Sequence, residues 1–184
     1  YRGTEATPYL VELGQLLNPE IPLMWTGPLV CSTKITAEDA KKFKDIVKRS
    51  IWIWDNYPVN DYARNVINLG PVKGRSPDLC KYVEGIFSNP MNEAHLSFIP
   101  LATIADYTWN PENYNPEESW SVALKFVGGE AAEGLRMLGE LTSKSTLWPE
   151  KPPYAEQLEV YLREEKWEKL GEFFSTLLLS LIHI

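Results

Sequence analysis

Residues 54–62 read Trp-Asp-Asn-Tyr-Pro-Val-Asn-Asp-Tyr, and this short stretch holds an aromatic plane, two amides and two carboxylates. Such a set can bind a sugar: a ring packs on the indole face, and its hydroxyls pair with Asn and Asp side chains that both donate and accept. Ser88-Asn89 offers a second amide in a similar context, just after a short apolar run. The competing reading is plain turn chemistry. Asn, Asp and Pro are ordinary turn residues and Trp54 can fill a core, so spacing alone favours turns.

Other reactive types point nowhere specific. His95 is the only interior histidine, and a lone histidine on a helix is more often a packing or surface residue than a ligand. Cys31 and Cys80 have no zinc-type partners, so no metal and no cofactor is expected. Gly70-Pro-Val-Lys-Gly-Arg75 lacks phosphate-loop spacing, and Arg75 reads as structural. A net charge of −7 argues against nucleic acid, which needs a basic face. No apolar run approaches the roughly 20 residues that span a bilayer.

The elements that must position these side chains follow from periodicity and punctuation. Thr7-Pro8 opens a helix, and Ile21–Trp25 reads as a strand. Thr36 caps a helix over about 37–48, whose apolar side is Phe43, Ile46 and Val47. Ile51-Trp-Ile-Trp54 is a second strand without polar alternation, which suits burial on both faces. Ser76-Pro77 opens a helix to about Val83, 85–88 is a third strand, and a helix over about 92–107 carries Pro100 as an expected kink. Strand, loop and helix recurring three times predict βα units with parallel strands. A closed barrel needs eight such units and about 250 residues, so these would be its end. Beyond a polar boundary at 112–118 only helices are expected, over about 116–127, 130–141 and 154–179, the last breaking near Arg163 or Gly171.

The string WDNYPVND resembles glycoside hydrolase family 84, together with MWTGPLVCS before it and LGPVKGRS, FSNPMNEAHLS and LATIADYTWNP after it, in one collinear order over about residues 1–120. That family comprises β-N-acetylglucosaminidases, among them bacterial hyaluronidase-like enzymes and animal O-GlcNAcases. The resemblance implies an α/β fold in which residues 1–111 are the last three βα units of a (β/α)8 TIM barrel, an incomplete barrel, and 112–184 are a helical region that follows the catalytic domain. It also implies roles. Trp54 would pack beside the substrate's N-acetyl group, Asn56 and Asn89 would bond the sugar, and Asp61 would bind the outer hydroxyls O4 and O6. Tyr1 falls where the family has the tyrosine of the acetamido pocket.

The implied chemistry is substrate-assisted: the 2-acetamido oxygen attacks the anomeric carbon, while adjacent aspartates polarise the amide and serve as acid and base. This sequence contains no Asp-Asp, and its adjacent acidic pairs, Glu117-Glu118 and Glu164-Glu165, fall in helical stretches. The expectation is therefore a fragment of a retaining exo-enzyme, carrying sugar-binding residues but no catalytic ones. Its partners would be an N-acetylglucosamine-containing glycan or glycoprotein and the missing N-terminal barrel half. The alternatives are a non-catalytic carbohydrate-binding or interaction module, or a structural helical protein. The WDNYP form at 54–58 is closer to bacterial members and implies a secreted or cell-surface protein, with a cytoplasmic one as the alternative. The closing residues 177–184 resemble a translated library adapter and are expected not to be native, so His183 is given no role. Three parallel strands alone would leave an unpaired edge and an uncovered apolar face.

Overall fold

A computed structural model describes residues 4–63, 66–142 and 153–181, so Tyr1 and His183 lie outside the described residues. The fold is mixed α/β. Strands β1 (Leu23–Trp25), β2 (Ile51–Asp55) and β3 (Ile86–Ser88) form one parallel sheet in the order β1-β2-β3. The chain divides into two compact units. The first comprises 1–57, 72–89 and 105–114; the second comprises 58–71, 90–104 and 115–184.

In the first unit, helix α1 (Pro8–Leu16) precedes β1 and helix α2 (Ala37–Val47) joins β1 to β2. α2 forms where its cap demands it. Thr36 Oγ1 accepts from Asp39 N–H at 3.0 Å, and the Asp39 carboxylate accepts from Thr36 N–H at 3.3 Å. Its buried face is Ala40, Phe43 and Val47, and the Phe43 ring stacks on Trp25 at 5.1 Å. Arg49, two residues before β2, is 6% exposed, and among the described residues its guanidinium donates only to backbone carbonyls. These are Gly14 (2.7 Å), Leu17 (3.0 Å), Asn18 (2.7 Å), Ile21 (3.2 Å) and Val47 (3.2 Å). The fork thereby closes the C-terminal end of α1, whose last carbonyls have no partner inside the helix.

Two expectations need correction here. β2 is not buried on both faces. Ile51, Ile53 and Asp55 are buried, whereas Trp52 is half-buried and Trp54 is 41% exposed. Register pairs Met24 with Trp52 and Trp54 with Phe87, so these four share the other face, where Met24 and Phe87 are about half exposed too. Indoles at both even positions are as apolar as the isoleucines between them, which hides the alternation. The helix expected from Ser76 is only a 3-10 turn, Pro77–Lys81. Glu84 N–H is already committed to Ile51 C=O at 2.9 Å, so the chain must be extended again by then and no further helical turn fits.

Helix α3 (Ala94–Trp109) runs through Pro100, and its residues fall partly in each unit. The second unit is otherwise helical: α4 (Pro116–Gly128), α5 (Ala132–Thr142), α6 (Pro153–Arg163) and α7 (Trp167–Leu181). Asn115 caps α4. The core gathers Leu69, Met91, Ile99, Trp120, Leu124 and Leu135, and Trp120 Nε1 donates to Leu69 C=O at 2.8 Å. The final helical stretch breaks after Arg163, where Glu165 takes a left-handed φ of 53°. Glu164-Glu165 therefore lies at this break and not inside a helix, and Glu164 pairs with Lys166 at 2.6 Å. Among the described residues no helix is long and apolar enough to cross a membrane.

Candidate functional site

The C-terminal ends of the three parallel strands meet at one side chain. Asn56 follows β2 directly. Its Oδ1 accepts from Trp54 Nε1 at 2.9 Å and from Asn89 Nδ2 at 3.0 Å, and its Nδ2 donates to Val30 C=O at 2.6 Å. Val30 belongs to the loop after β1, and Asn89 follows β3, so each strand end contributes one partner. Asn89 is fixed further by its backbone N–H, which donates to Asp55 C=O at 2.9 Å, and Ser88 Oγ donates to Tyr57 C=O at 2.7 Å. Three residues expected in a sugar site, Trp54, Asn56 and Asn89, are thus brought together.

What this cluster presents follows from what it has already spent. The Trp54 N–H is used internally, so the exposed part of the ring offers an apolar face. A carboxamide carries two N–H donors and two acceptor lone pairs. Asn56 uses both lone pairs and one N–H; Asn89 uses one N–H, and among the described residues its Oδ1 accepts nothing. One apolar plane beside amide donors and an acceptor suits a ring bearing hydroxyls. Asn56, Asn89 and Trp54 have no titratable group, so they can bind and orient but cannot move a proton.

Beneath them lies a buried ion pair. Asp55, 2% exposed, meets Arg75 side-on, with Nε–Oδ2 at 2.7 Å and Nη2–Oδ1 at 2.5 Å. Arg75 Nη1 also donates to Lys73 C=O (2.8 Å) and Thr33 C=O (3.1 Å). Burial alone would lower the arginine's pKa, but the Asp55 carboxylate more than offsets this and holds it raised. A backbone bridge runs alongside: Ile35 N–H bonds Gly74 C=O at 2.9 Å and Ser76 N–H bonds Ile35 C=O at 3.1 Å. Gly74 has φ +74°, and a Cβ there would stand 2.3 Å from the Thr33 carbonyl oxygen, so only glycine fits. Tyr107 donates to Ser76 C=O at 2.7 Å, and burial pushes its phenol up to about 12.

Asp61 is exposed and lies in the second unit, on the 58–71 segment. Two buried amides shape that segment: Asn60 donates to Val66 C=O and to the Glu93 carboxylate, and Asn68 donates to the Pro58 and Val59 carbonyls. Tyr1 lies outside the described residues. His95 is exposed, with Phe98 edge-on to it. Among the described residues no group of three His, Cys, Asp or Glu side chains could hold a metal ion. Sequence reasoning missed Asp55 and the Val30 carbonyl and left Arg75 without a partner. The available signal was parity: an acid in step with Ile51 and Ile53 faces the core and needs a counter-charge.

A family model described as beta-N-acetylglucosaminidase matches residues 1–140. The chain belongs to that family, glycoside hydrolase family 84. The family 84 chain is 38% identical over 115 residues to the Protein O-GlcNAcase of Rattus norvegicus and, equally, to that of Mus musculus; the alignment covers 62% of this chain and 12% of each relative. Among solved structures it is similar to an O-GlcNAc hydrolase mutant of Thermobaculum terrenum, with TM-score 0.77 and 32% identity over 95% of this chain and 39% of that one. It is also similar to CpGH84B, with TM-score 0.71 and 35% identity over 76% of this chain and 25% of that one. The family 84 chain thus spans well under half the length of each of these relatives.

Proposed function

We propose that this chain is the C-terminal part of the catalytic domain of a retaining exo-β-N-acetylglucosaminidase that works by substrate assistance through an oxazoline. In this reading it supplies the sugar-binding half of the pocket, and the Asp-Asp pair lies on the part of the parent that precedes it. The observation that carries the reading is the Asn56 cluster: an exposed indole face and two amides from the ends of β2 and β3, held by a backbone carbonyl of the loop after β1. That is where a parallel βα architecture gathers its ligand groups. Further support comes from the short spans of the relatives covered, from the absence of Asp-Asp in the sequence, and from the half-exposed Met24, Trp54 and Phe87 on one sheet face. That face would line the interior of a completed (β/α)8 barrel.

Residues 1–111 would then be the end of the barrel and 112–184 the helical region that follows it. The substrate would be a glycan or glycoprotein ending in N-acetylglucosamine. Export is part of the proposal, carried by the form of 54–58, with a cytoplasmic protein as the alternative.

The test is made in the parent enzyme, with N-acetylglucosamine as a competitive inhibitor of aryl N-acetyl-β-glucosaminide hydrolysis. Asn56→Ala is expected to raise its inhibition constant by roughly three- to tenfold, as for one neutral hydrogen bond, and unchanged inhibition removes the site. Asp61→Ala, at an exposed position, is expected to weaken binding by about 1.5–3 kcal/mol while shifting the folding transition little. The isolated 184-residue chain should turn over no aryl substrate. A non-catalytic carbohydrate-binding module is the second reading, favoured by the same lack of Asp-Asp. Coding sequence upstream of Tyr1 with no such pair and no further strand–helix units would establish it.

A further inference from the structure

We infer that the Asp55–Arg75 ion pair is the positioning device of this sugar site, acting on ligand through the orientation of the Asn56 amide. The inference rests on the reading of Trp54, Asn56 and Asn89 as sugar ligands. Asp55 is the residue before Asn56, and three separate restraints pass through it. Its carboxylate is gripped side-on by Arg75. Its carbonyl receives the Asn89 backbone N–H at 2.9 Å. Its backbone continues directly into Asn56.

The other end of the Arg75 fork reaches the loop after β1 at Thr33 C=O. That loop carries Val30, whose carbonyl accepts from Asn56 Nδ2 at 2.6 Å. One guanidinium therefore fixes both things that decide which way the Asn56 amide faces: the strand end that bears it and the loop carbonyl that receives its N–H. With the N–H held by Val30, Oδ1 turns to Trp54 and Asn89 and aligns them. A support serving stability alone would need no connection to that carbonyl. Lysine cannot replace the fork, because a single ammonium on a flexible stem cannot span both carboxylate oxygens and two carbonyls.

The test is a double-mutant cycle in the parent enzyme, reading the inhibition constant of N-acetylglucosamine per folded molecule, with the folded fraction taken from thermal melting. Arg75→Lys is expected to weaken inhibition on the order of tenfold in the native background, the scale of a displaced binding group. In the Asn56→Ala background it is expected to add nothing, since the group it acts through is gone. Equal losses in both backgrounds, or no loss in the native one, would overturn the inference and leave the pair a folding element. An Asn56→Ala enzyme with native affinity would instead overturn the site reading itself. If Arg75→Lys does not fold, the near-isosteric Asp55→Asn is carried through the same cycle: a loss confined to the native background supports the inference, and equal losses or none overturn it.

Discussion

Two buried arginines bracket β2, and they are held in opposite ways. Arg49, before the strand, is surrounded by five backbone carbonyls, while Arg75 grips a carboxylate at the strand's far end. The first carries its charge into the partly negative C-terminal end of α1, where carbonyl oxygens would otherwise lack donors. The second is neutralised by Asp55 and leaves one arm over for two loop carbonyls. Among the described residues every hydrogen bond of the Arg49 guanidinium goes to a main-chain carbonyl, so its polar work ends in the backbone. Arg75 is one carbonyl-bearing loop away from the half-buried Asn56 amide. In parallel α/β architectures the C-terminal end of the strands is where ligands are met and the other end is where stability is built. Here the same residue type serves each end with partners suited to the task.

The largest effect should come from breaking the charged pair. Arg75→Met strands a buried carboxylate, and a loss of about 3–5 kcal/mol in urea unfolding of the parent is expected. Removing both charges as Asp55→Leu/Arg75→Met should recover part of that loss; a double variant no better than the single one would mean the stranded charge was not its source. Arg49→Met should cost less, about 1–3 kcal/mol, because it leaves carbonyls without donors but no bare charge. Its inhibition constant for N-acetylglucosamine, per folded molecule, should stay native, and a shifted constant would erase the contrast between the two ends. Thr36→Ala, which removes half of the α2 capping box, should cost about 1 kcal/mol with binding untouched.

The last effect is confined to high pH and is absent at neutrality. Tyr107 holds its phenol up to about 12 because burial disfavours the phenolate. A group whose folded pKa is raised contributes stability that is whole below its ordinary value of 10.0 and is lost as pH climbs toward 12. Ultraviolet titration should show a phenol that titrates near 12 and disappears in Tyr107→Phe. A phenol titrating with the other tyrosines would show that the Ser76 carbonyl and its surroundings are open to water.

The sequence made the rhythm of the first unit readable for local reasons. Thr36 and Asp39 sit at capping spacing, and Ile-Trp-Ile-Trp has few conformations open to it except a strand. The helix break near Arg163 was readable too, although the left-handed residue that makes it is Glu165. Which face of β2 is covered was not readable, since tryptophan and isoleucine weigh alike in a hydrophobic pattern. Nor were the partnerships that build the site. Asn56 and Asn89 are 33 residues apart and Asp55 and Arg75 are 20 apart, and only the parallel register Trp54–Phe87 and Asp55–Ser88 brings the first pair to bonding distance.

That same register gives the protein a built-in optical probe. Trp52 and Trp54 stand on the wetter side of the sheet, with Phe87 across from them. Their emission will follow the polarity of whatever lies against that side, shifting to the blue and brightening when an apolar layer docks there. On the proposed reading, mixing this chain with a separately made upstream segment should shift the indole emission, and Trp52→Phe/Trp54→Phe should remove that shift, which separates it from the signal of the chain's other tryptophans.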